Sequence, residues 1–238
     1  MSAPGVSAPS GRIAFFDVDE TLVGCKTMVD FWQHWIQLPA ADPGTRREPG
    51  SVDALLRSGL PRTELNRAYY RLFTGVRPDL LRRAGLEWYA GFRRRPGAFV
   101  RAGVEALARH RAAGDTVVLV SGSCHALLDP LLRDLGAGMV VCTSLKLGGG
   151  GMLSGEVERP LIGPAKAEAA AAVMAARSVG PADCFAYGDD LSDLPMLLEV
   201  GHPVVVGGHS GLADEAGLRG WPVLSAPVPP RSATVAAG

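Results

Sequence analysis

The hydrophobic and polar positions of this chain follow two periods, one typical of buried strands and one typical of helices. Residues 12–18 form a short apolar run that ends in an acid, the pattern of a strand buried on both faces of a parallel sheet. After Pro96, strands are predicted at 116–121, 139–142, 184–187 and 203–206, separated by helices near 98–113, 125–135, 165–178 and 191–199. This alternation predicts right-handed crossovers and an α/β fold, a Rossmann-like, doubly wound parallel sheet of about five strands.

A helical period replaces this alternation between the first strand and Pro96. Three aromatic residues, Phe31, Trp32 and Trp35, fall on one helical face, and prolines and glycines divide the segment into several helices. The aromatic face is typical of a helical core, and the alternative is a platform that stacks on a ring of a ligand. We predict a core of residues 11–24 and 96–225 with a helical domain, 25–95, inserted into it.

Three further segments complete the predicted organisation. Residues 143–162 contain two short alternating runs around four glycines, which predicts a β-hairpin beside the sheet. Residues 1–10 and 226–238 are rich in small residues and proline, so they cannot bury enough apolar surface to form a core. We predict that both ends are disordered tails.

Composition excludes several classes of partner. The 24 Lys and Arg residues balance the 24 Asp and Glu residues, so the charge favours neither nucleic acid nor an anionic membrane surface. No apolar run is long enough to span a bilayer, and the first residues lack a signal-peptide pattern. Four scattered cysteines without a Cys-x-x-Cys pair are typical of a reduced compartment. We therefore expect a cytoplasmic protein, and the sequence does not indicate its oligomeric state.

Polar residues collect where the predicted strands end. The first strand ends in Asp17-Val18-Asp19-Glu20-Thr21, the second in Ser121-Gly122-Ser123 and the fourth in Gly188-Asp189-Asp190, with Asp193 one turn later and Lys166 at the start of a preceding helix. Ligands of a doubly wound sheet bind beyond these strand ends. Clustered carboxylates favour a bound divalent cation, and an all-oxygen donor set suits Mg²⁺. A lysine and a Ser-Gly backbone are suited to a phosphoryl group, which points to metal-assisted phosphoryl transfer.

These residues, in this order, resemble the four motifs of the haloacid dehalogenase superfamily phosphatases. The motifs are Asp17-x-Asp19-x-Thr21, then Ser121, then Lys166, then Gly188-Asp189-Asp190-x-x-Asp193. A helical insert between the first two motifs resembles the C1 cap of the phosphoserine-phosphatase-like branch, subfamily IB. The resemblance extends from about residue 12 to residue 224.

The resemblance implies a role for each of the three acids that lead the motifs. Asp17 would be the nucleophile and would form an aspartyl-phosphate. Asp19 would protonate the leaving alcohol and then activate the attacking water. The metal ligands would be the side chains of Asp17 and Asp189 and the backbone carbonyl of Asp19.

The same resemblance assigns the remaining motif residues. Thr21, Ser121 and the amide of Gly122 would bond the phosphate or the nucleophile. Lys166 would be a catalytic residue that binds the phosphate and offsets the charge of Asp17 and of the phosphoryl oxygens. Supporting roles are implied for Asp190, Ser192 and Asp193, with Asp193 holding Lys166. For Asp190 the alternative is a charge that merely stabilises the N-terminus of the following helix.

Two positions that select the substrate depart from the phosphoserine phosphatases. Lys26 stands where those enzymes place a Glu for the substrate's amino group, and Tyr69 stands roughly where they place a carboxylate-binding Arg. Lys26 favours an alcohol that carries a carboxylate, a second phosphate or neutral hydroxyls, or else it only lines the entrance. His125 is a further candidate for contact with the leaving group.

We therefore predict a Mg²⁺-dependent phosphomonoester hydrolase that acts through an aspartyl-phosphate on a small phosphorylated metabolite other than phosphoserine. One alternative is a phosphotransferase or mutase that uses the same intermediate. The other is a non-catalytic protein that binds a phosphorylated ligand.

Overall fold

The computed structural model describes residues 11–39, 48–208 and 210–225, and its centre is a six-stranded parallel sheet. The strands are β1 (Ile13–Phe16), β2 (Thr116–Ser121), β3 (Met139–Cys142), β6 (Cys184–Gly188), β7 (His202–Val206) and β8 (Val223–Leu224). They lie in the order β3-β2-β1-β6-β7-β8, and every neighbouring pair is parallel. The predicted fold class is confirmed, and the short edge strand β8 adds a sixth strand to the five expected. Both predicted tails lie outside the described residues.

In the described part of the chain, the segment that follows β1 contains four helices that form a cap, and five further helices accompany the sheet. The cap helices are α1 (Thr27–Trp35), α2 (Ser51–Arg57), α3 (Arg62–Arg71) and α4 (Pro78–Phe92). The others are α5 (Arg101–Ala112), α6 (His125–Leu135), α7 (Pro164–Arg177), α8 (Leu194–Leu198) and α9 (Gly211–Arg219). No helix in these described ranges is long and apolar enough to cross a membrane.

The strand β1 occupies the middle of the sheet because its side chains are apolar on both faces. All four of its residues are buried, and the two faces of the sheet belong to two separate apolar clusters. Phe16 stacks on Tyr187 in the cluster that continues into the cap. The sheet and the cap therefore share one hydrophobic core, which fixes the cap on this side of the molecule.

The aromatic face of α1 belongs to the core of the cap. Phe31, Trp32 and Trp35 are almost fully buried, and all three rings contact Phe73. The three contacts are stacked, edge-to-face and tilted, a mixture that is typical of packed aromatic cores. These rings therefore fill the cap and do not form a platform for a ligand.

The cap packs on the sheet domain where α4 crosses α6. A side chain at Gly85 would place its Cβ 2.0 Å from the carbonyl oxygen of Ala126, so only glycine permits this approach. Tyr89 donates a hydrogen bond of 2.6 Å to Asp134, and Arg93 pairs with the same carboxylate at 2.8 Å. This edge of the cap is closely attached to α6.

A β-hairpin also contacts the cap, next to α3. Its strands, β4 (Leu145–Leu147) and β5 (Leu153–Val157), are antiparallel, as the alternating runs predict. The amide of Gly75 donates to the carbonyl of Leu153, and the amide of Leu153 donates to the carbonyl of Val76, both at 2.8 Å. The segment after α3 thus pairs with β5 like an additional short strand.

Candidate active site

A crevice opens at the C-terminal ends of β1 and β6, where the strand order changes direction. The strands β2 and β3, which follow β1 in sequence, lie on one side of β1, and β6 lies on its other side. Asp17 follows β1, and its amide donates to the carbonyl of Tyr187 near the end of β6 at 2.9 Å. This is the topological switch point at which doubly wound sheets bind ligands.

Lys166 lies buried between two carboxylates of the crevice. Its Nζ is 2.5 Å from Oδ1 of Asp17 and 2.6 Å from Oδ1 of Asp193. Burial alone would lower the pKa of Lys166, but the charges of Asp17 and Asp193 outweigh it and raise the pKa. The lysine is therefore a permanent cation at the centre of the site. The helix that carries it, α7, begins directly after Gly163, whose backbone has a positive φ of 59°.

Three carboxylates are close enough together to bind a metal ion. Oxygen atoms of Asp17, Asp189 and Asp193 all lie within 4.8 Å of one another. Burial and the neighbouring charge of Asp17 raise the pKa of Asp189. The second oxygen of Asp193 accepts from the amides of Asp189 and Asp190 at 3.2 and 3.3 Å, so this residue already binds the lysine and the backbone.

The donor set fits Mg²⁺. Asp17 and Asp189 offer carboxylate oxygens in a buried site where one lysine balances only part of the negative charge. Thr21 donates to Oδ1 of Asp189 at 3.3 Å and orients that carboxylate. Of the acids predicted as metal ligands, the structure thus brings together the side chains of Asp17 and Asp189.

Asp19 lies beside this cluster. Its Oδ1 is buried and has no hydrogen-bond partner among the residues that the structure describes. Burial, and then the charge of Asp17, raises the pKa of Asp19 to about 6, so its proton is held far more tightly than that of an ordinary Asp. A tight turn follows, in which Glu20 adopts a left-handed backbone (φ 63°) and its amide donates to the carbonyl of Val23 at 2.7 Å.

The loop after β2 is held by the cap. Within the loop, the amide of Ser123 donates to Oγ of Ser121 at 3.1 Å. The carbonyl of Gly122 accepts from Nδ2 of Asn66 at 2.8 Å and from the hydroxyl of Tyr70 at 3.3 Å. Helix α3 therefore orients the loop that carries two predicted phosphate ligands. Neither Asn66 nor Tyr70 was predicted, since nothing in a helical pattern distinguishes them from core residues.

Arg62 and Lys26 stand at the entrance, each paired with an acid. Arg62 at the start of α3 reaches Asp190 at 2.7 Å and the hydroxyl of Ser192 at 2.9 Å, so it connects the cap to the loop after β6. Lys26 pairs with Glu20 at 2.6 Å. Arg62 was not predicted, and like Lys26 it is a cap cation that lines the cleft.

Two predicted specificity residues lie elsewhere or are differently engaged. Tyr69 lines the cleft, but its hydroxyl donates to the backbone carbonyl of Met28 at 2.8 Å and is not free to replace a carboxylate-binding Arg. His125 is exposed at the start of α6, bonds to Asp129 at 2.9 Å and is absent from the cleft lining. The helix turns its side chain away from the crevice, so the expected contact with a leaving group is not supported.

The fold and the motif residues at the strand ends define the class of protein. Residues 14–198 match the model of the haloacid dehalogenase-like hydrolase family, and the chain belongs to this family. The fold is also similar to that of a substrate-bound phosphoserine phosphatase, with a TM-score of 0.62 at 18% identity over 86% of this chain and 89% of that one.

Curated relatives match about half of this chain. It is 42% identical over 115 residues to an "inhibition of morphological differentiation protein" of Streptomyces azureus, which is 48% of this chain and 42% of that protein. It is 40% identical over 119 residues to a probable phosphatase of Mycobacterium tuberculosis (strain ATCC 25618 / H37Rv), 50% of this chain and 41% of that protein. The matched part thus spans about two fifths of the length of these relatives.

Proposed function

We propose that the protein hydrolyses phosphomonoesters by transferring the phosphoryl group first to Asp17 and then to water. The observation that carries this proposal is the buried contact of Asp17 with Lys166, beside a second carboxylate, Asp189. A carboxylate held by a buried lysine at a strand end is positioned to attack phosphorus, and the two-step route avoids the need for free hydroxide.

The first step uses the positive charge around the transferring group. Mg²⁺ bound by Asp17 and Asp189 would offset the charge of the phosphoryl oxygens. Lys166 contributes a second positive charge and holds the carboxylate of Asp17 in one orientation. Thr21, Ser121 and the amide of Gly122 are the proposed phosphate donors, with Asp193 fixing Lys166 from the other side.

Asp19 is the proposed proton carrier. Its pKa of about 6 lets it hold a proton near neutral pH when a negatively charged phosphate binds. In the first step the alcohol oxygen leaves from phosphorus with the proton of Asp19. In the second step Asp19 takes a proton from water, the water oxygen attacks phosphorus, and the bond from phosphorus to Asp17 breaks.

A substrate other than phosphoserine fits the entrance better. A substrate ammonium needs a carboxylate, and Glu20 at the entrance is already paired with Lys26. The tyrosine hydroxyl of Tyr69 is likewise engaged by the backbone. The groups that would recognise an amino acid are therefore occupied.

The test is phosphate release from a panel of phosphoserine, sugar phosphates, nucleotides and phosphorylated acids, with Mg²⁺ and with a chelator. Wild type should release phosphate only with the metal, and Asp17→Asn should be inactive while remaining folded. Asp214→Asn on the exposed surface of α9 is the matched control and should retain full activity. Metal-independent turnover, or turnover by Asp17→Asn, would contradict the proposal.

A further inference from the structure

We propose that the cleft beyond the reaction centre binds the alcohol part of the substrate as an apolar group. This inference rests on the proposed function and specifies its substrate class, namely phosphomonoesters of alcohols that carry an aliphatic or aromatic body. The empty volume of the cleft, including its open mouth, is about 950 Å³.

The cleft has two chemically different ends. The end at the sheet carries the motif residues, among them Asp17, Ser121 and Lys166. The wall that the cap contributes is built largely from aliphatic side chains of α1, α2 and α3, namely Met28, Val29, Val52, Leu55, Leu56 and Leu65. A phosphoryl group at the polar end places the alcohol against this wall.

The polar side chains that the cap adds to the cleft are already bonded within the protein. Lys26 pairs with Glu20, and Arg62 pairs with Asp190. Asn66 donates its amide group to the carbonyl of Gly122. A substrate with a second anion would compete with these carboxylates for the two cations, whereas an apolar group displaces only water.

One leucine of the wall is exposed, so it adds little to the hydrophobic core of the free protein. Leu56 on α2 lines the cleft and is 51% exposed, although its neighbour Val52 on the same helix is buried. An exposed leucine contributes little to the stability of the free protein, and it would gain contact once an apolar alcohol filled the cleft. The wall is therefore suited to substrate burial.

The experiment compares kcat/KM for methyl, propyl, butyl, pentyl and hexyl phosphate with Mg²⁺ present. Each methylene buried against the wall should raise kcat/KM by about fourfold until the cleft is filled. A polar series of equal length, made of phosphorylated hydroxy acids, should not show this rise. Measurable turnover that stays flat or falls along the alkyl series would overturn the inference and leave the proposed hydrolase intact.

A matched pair of cap variants locates the effect. Leu56→Asn should reduce the ratio of kcat/KM for hexyl over methyl phosphate by about threefold or more, because it removes part of the apolar wall. Leu86→Asn on α4 also replaces an exposed leucine of the cap, but it lies outside the cleft and should leave this ratio at its wild-type value. Equal ratios in both variants would contradict the assignment of the wall.

Failure of the proposed function has a different signature. If no member of either series released phosphate, hydrolysis itself would be refuted for these esters. Calorimetry of alkyl phosphates binding to the Mg²⁺-loaded protein would then test whether the apolar wall binds the alkyl group. Affinity that rises with chain length would support it. Affinity that is independent of chain length would overturn it.

Discussion

Replacing Lys166 by methionine should destabilise the protein by several kcal/mol, quite apart from its effect on turnover. Methionine keeps much of the length and apolar volume of the lysine, so the change removes mainly the charge. The lysine side chain is only 5% exposed, and the carboxylates of Asp17 and Asp193 that it contacts are 7% and 1% exposed. Without the lysine, both acids would remain buried without their cation.

The magnitude follows from the burial of these three groups. Removing one partner of a buried ion pair typically costs about 3–5 kcal/mol, because the remaining charge has neither water nor a counter-ion. Whole domains are stable by only about 5–15 kcal/mol, so the loss should be plain in an unfolding curve. The double variant Lys166→Met/Asp193→Asn should have a free energy of unfolding at least about 1 kcal/mol higher than that of Lys166→Met, since it removes one of the two buried charges left without a cation.

Urea unfolding followed by circular dichroism, with a chelator present, measures this loss directly. Arg71→Met is the matched control, because it removes one cation from the solvent-exposed pair of Arg71 with Glu156 and should leave stability unchanged within error. A loss below about 1 kcal/mol for Lys166→Met would refute the view that this lysine neutralises two buried acids. A double variant less stable than the single variant would refute it as well.

Two further predictions concern the attachment of the cap. Gly85→Ala should lower the free energy of unfolding in urea by about 1–3 kcal/mol, because the new Cβ would lie 2.0 Å from the carbonyl oxygen of Ala126. Gly91→Ala, on the same helix, meets open space and should be neutral or slightly stabilising. Equal effects of the two substitutions would contradict the close packing of α4 on α6. Arg62→Ala should lower the free energy of unfolding by less than about 1 kcal/mol, because the ion pair of Arg62 with Asp190 is partly exposed. The same substitution should make kcat/KM less sensitive to salt. An unchanged salt dependence would show that this ion pair does not act at the entrance.

The sequence was most informative where function depends on residues close together along the chain. Asp17, Asp19 and Thr21 occupy one strand end, and Lys166 opens a helix, so the order of the motifs was sufficient to predict their convergence at one edge of the sheet. Strands buried on both faces also leave a continuous apolar signal that is readily recognised. The sheet and the cap were predictable for these reasons.

Residues of the cap that reach the site were much harder to predict. Their position depends on how α3 is rotated about its axis. Counting along the chain suggested Tyr69 for contact with the substrate, but the rotation of α3 brings Arg62 to Asp190 and Asn66 to Gly122. Such cross-domain contacts have no local signature in the sequence.

His125 illustrates the same difficulty at short range. It follows Cys124 and the loop after β2 closely enough to suggest contact with the site. Helix α6 begins at this residue, however, and its side chain bonds to Asp129 one turn later on the exposed surface. Proximity along the chain does not determine the direction of a side chain once a helix has begun.

The most direct test of the central claim is to trap the phosphorylated protein. Wild-type protein would be mixed with Mg²⁺ and a phosphomonoester that it hydrolyses. The reaction would be quenched in acid and reduced with borohydride, and the protein would be mapped by peptide mass spectrometry. An aspartyl-phosphate is reduced to homoserine, and we expect this change at Asp17 in the wild type and its absence in Asp17→Asn. Rapid phosphate release with an unmodified Asp17, or modification at a different acid, would contradict the account.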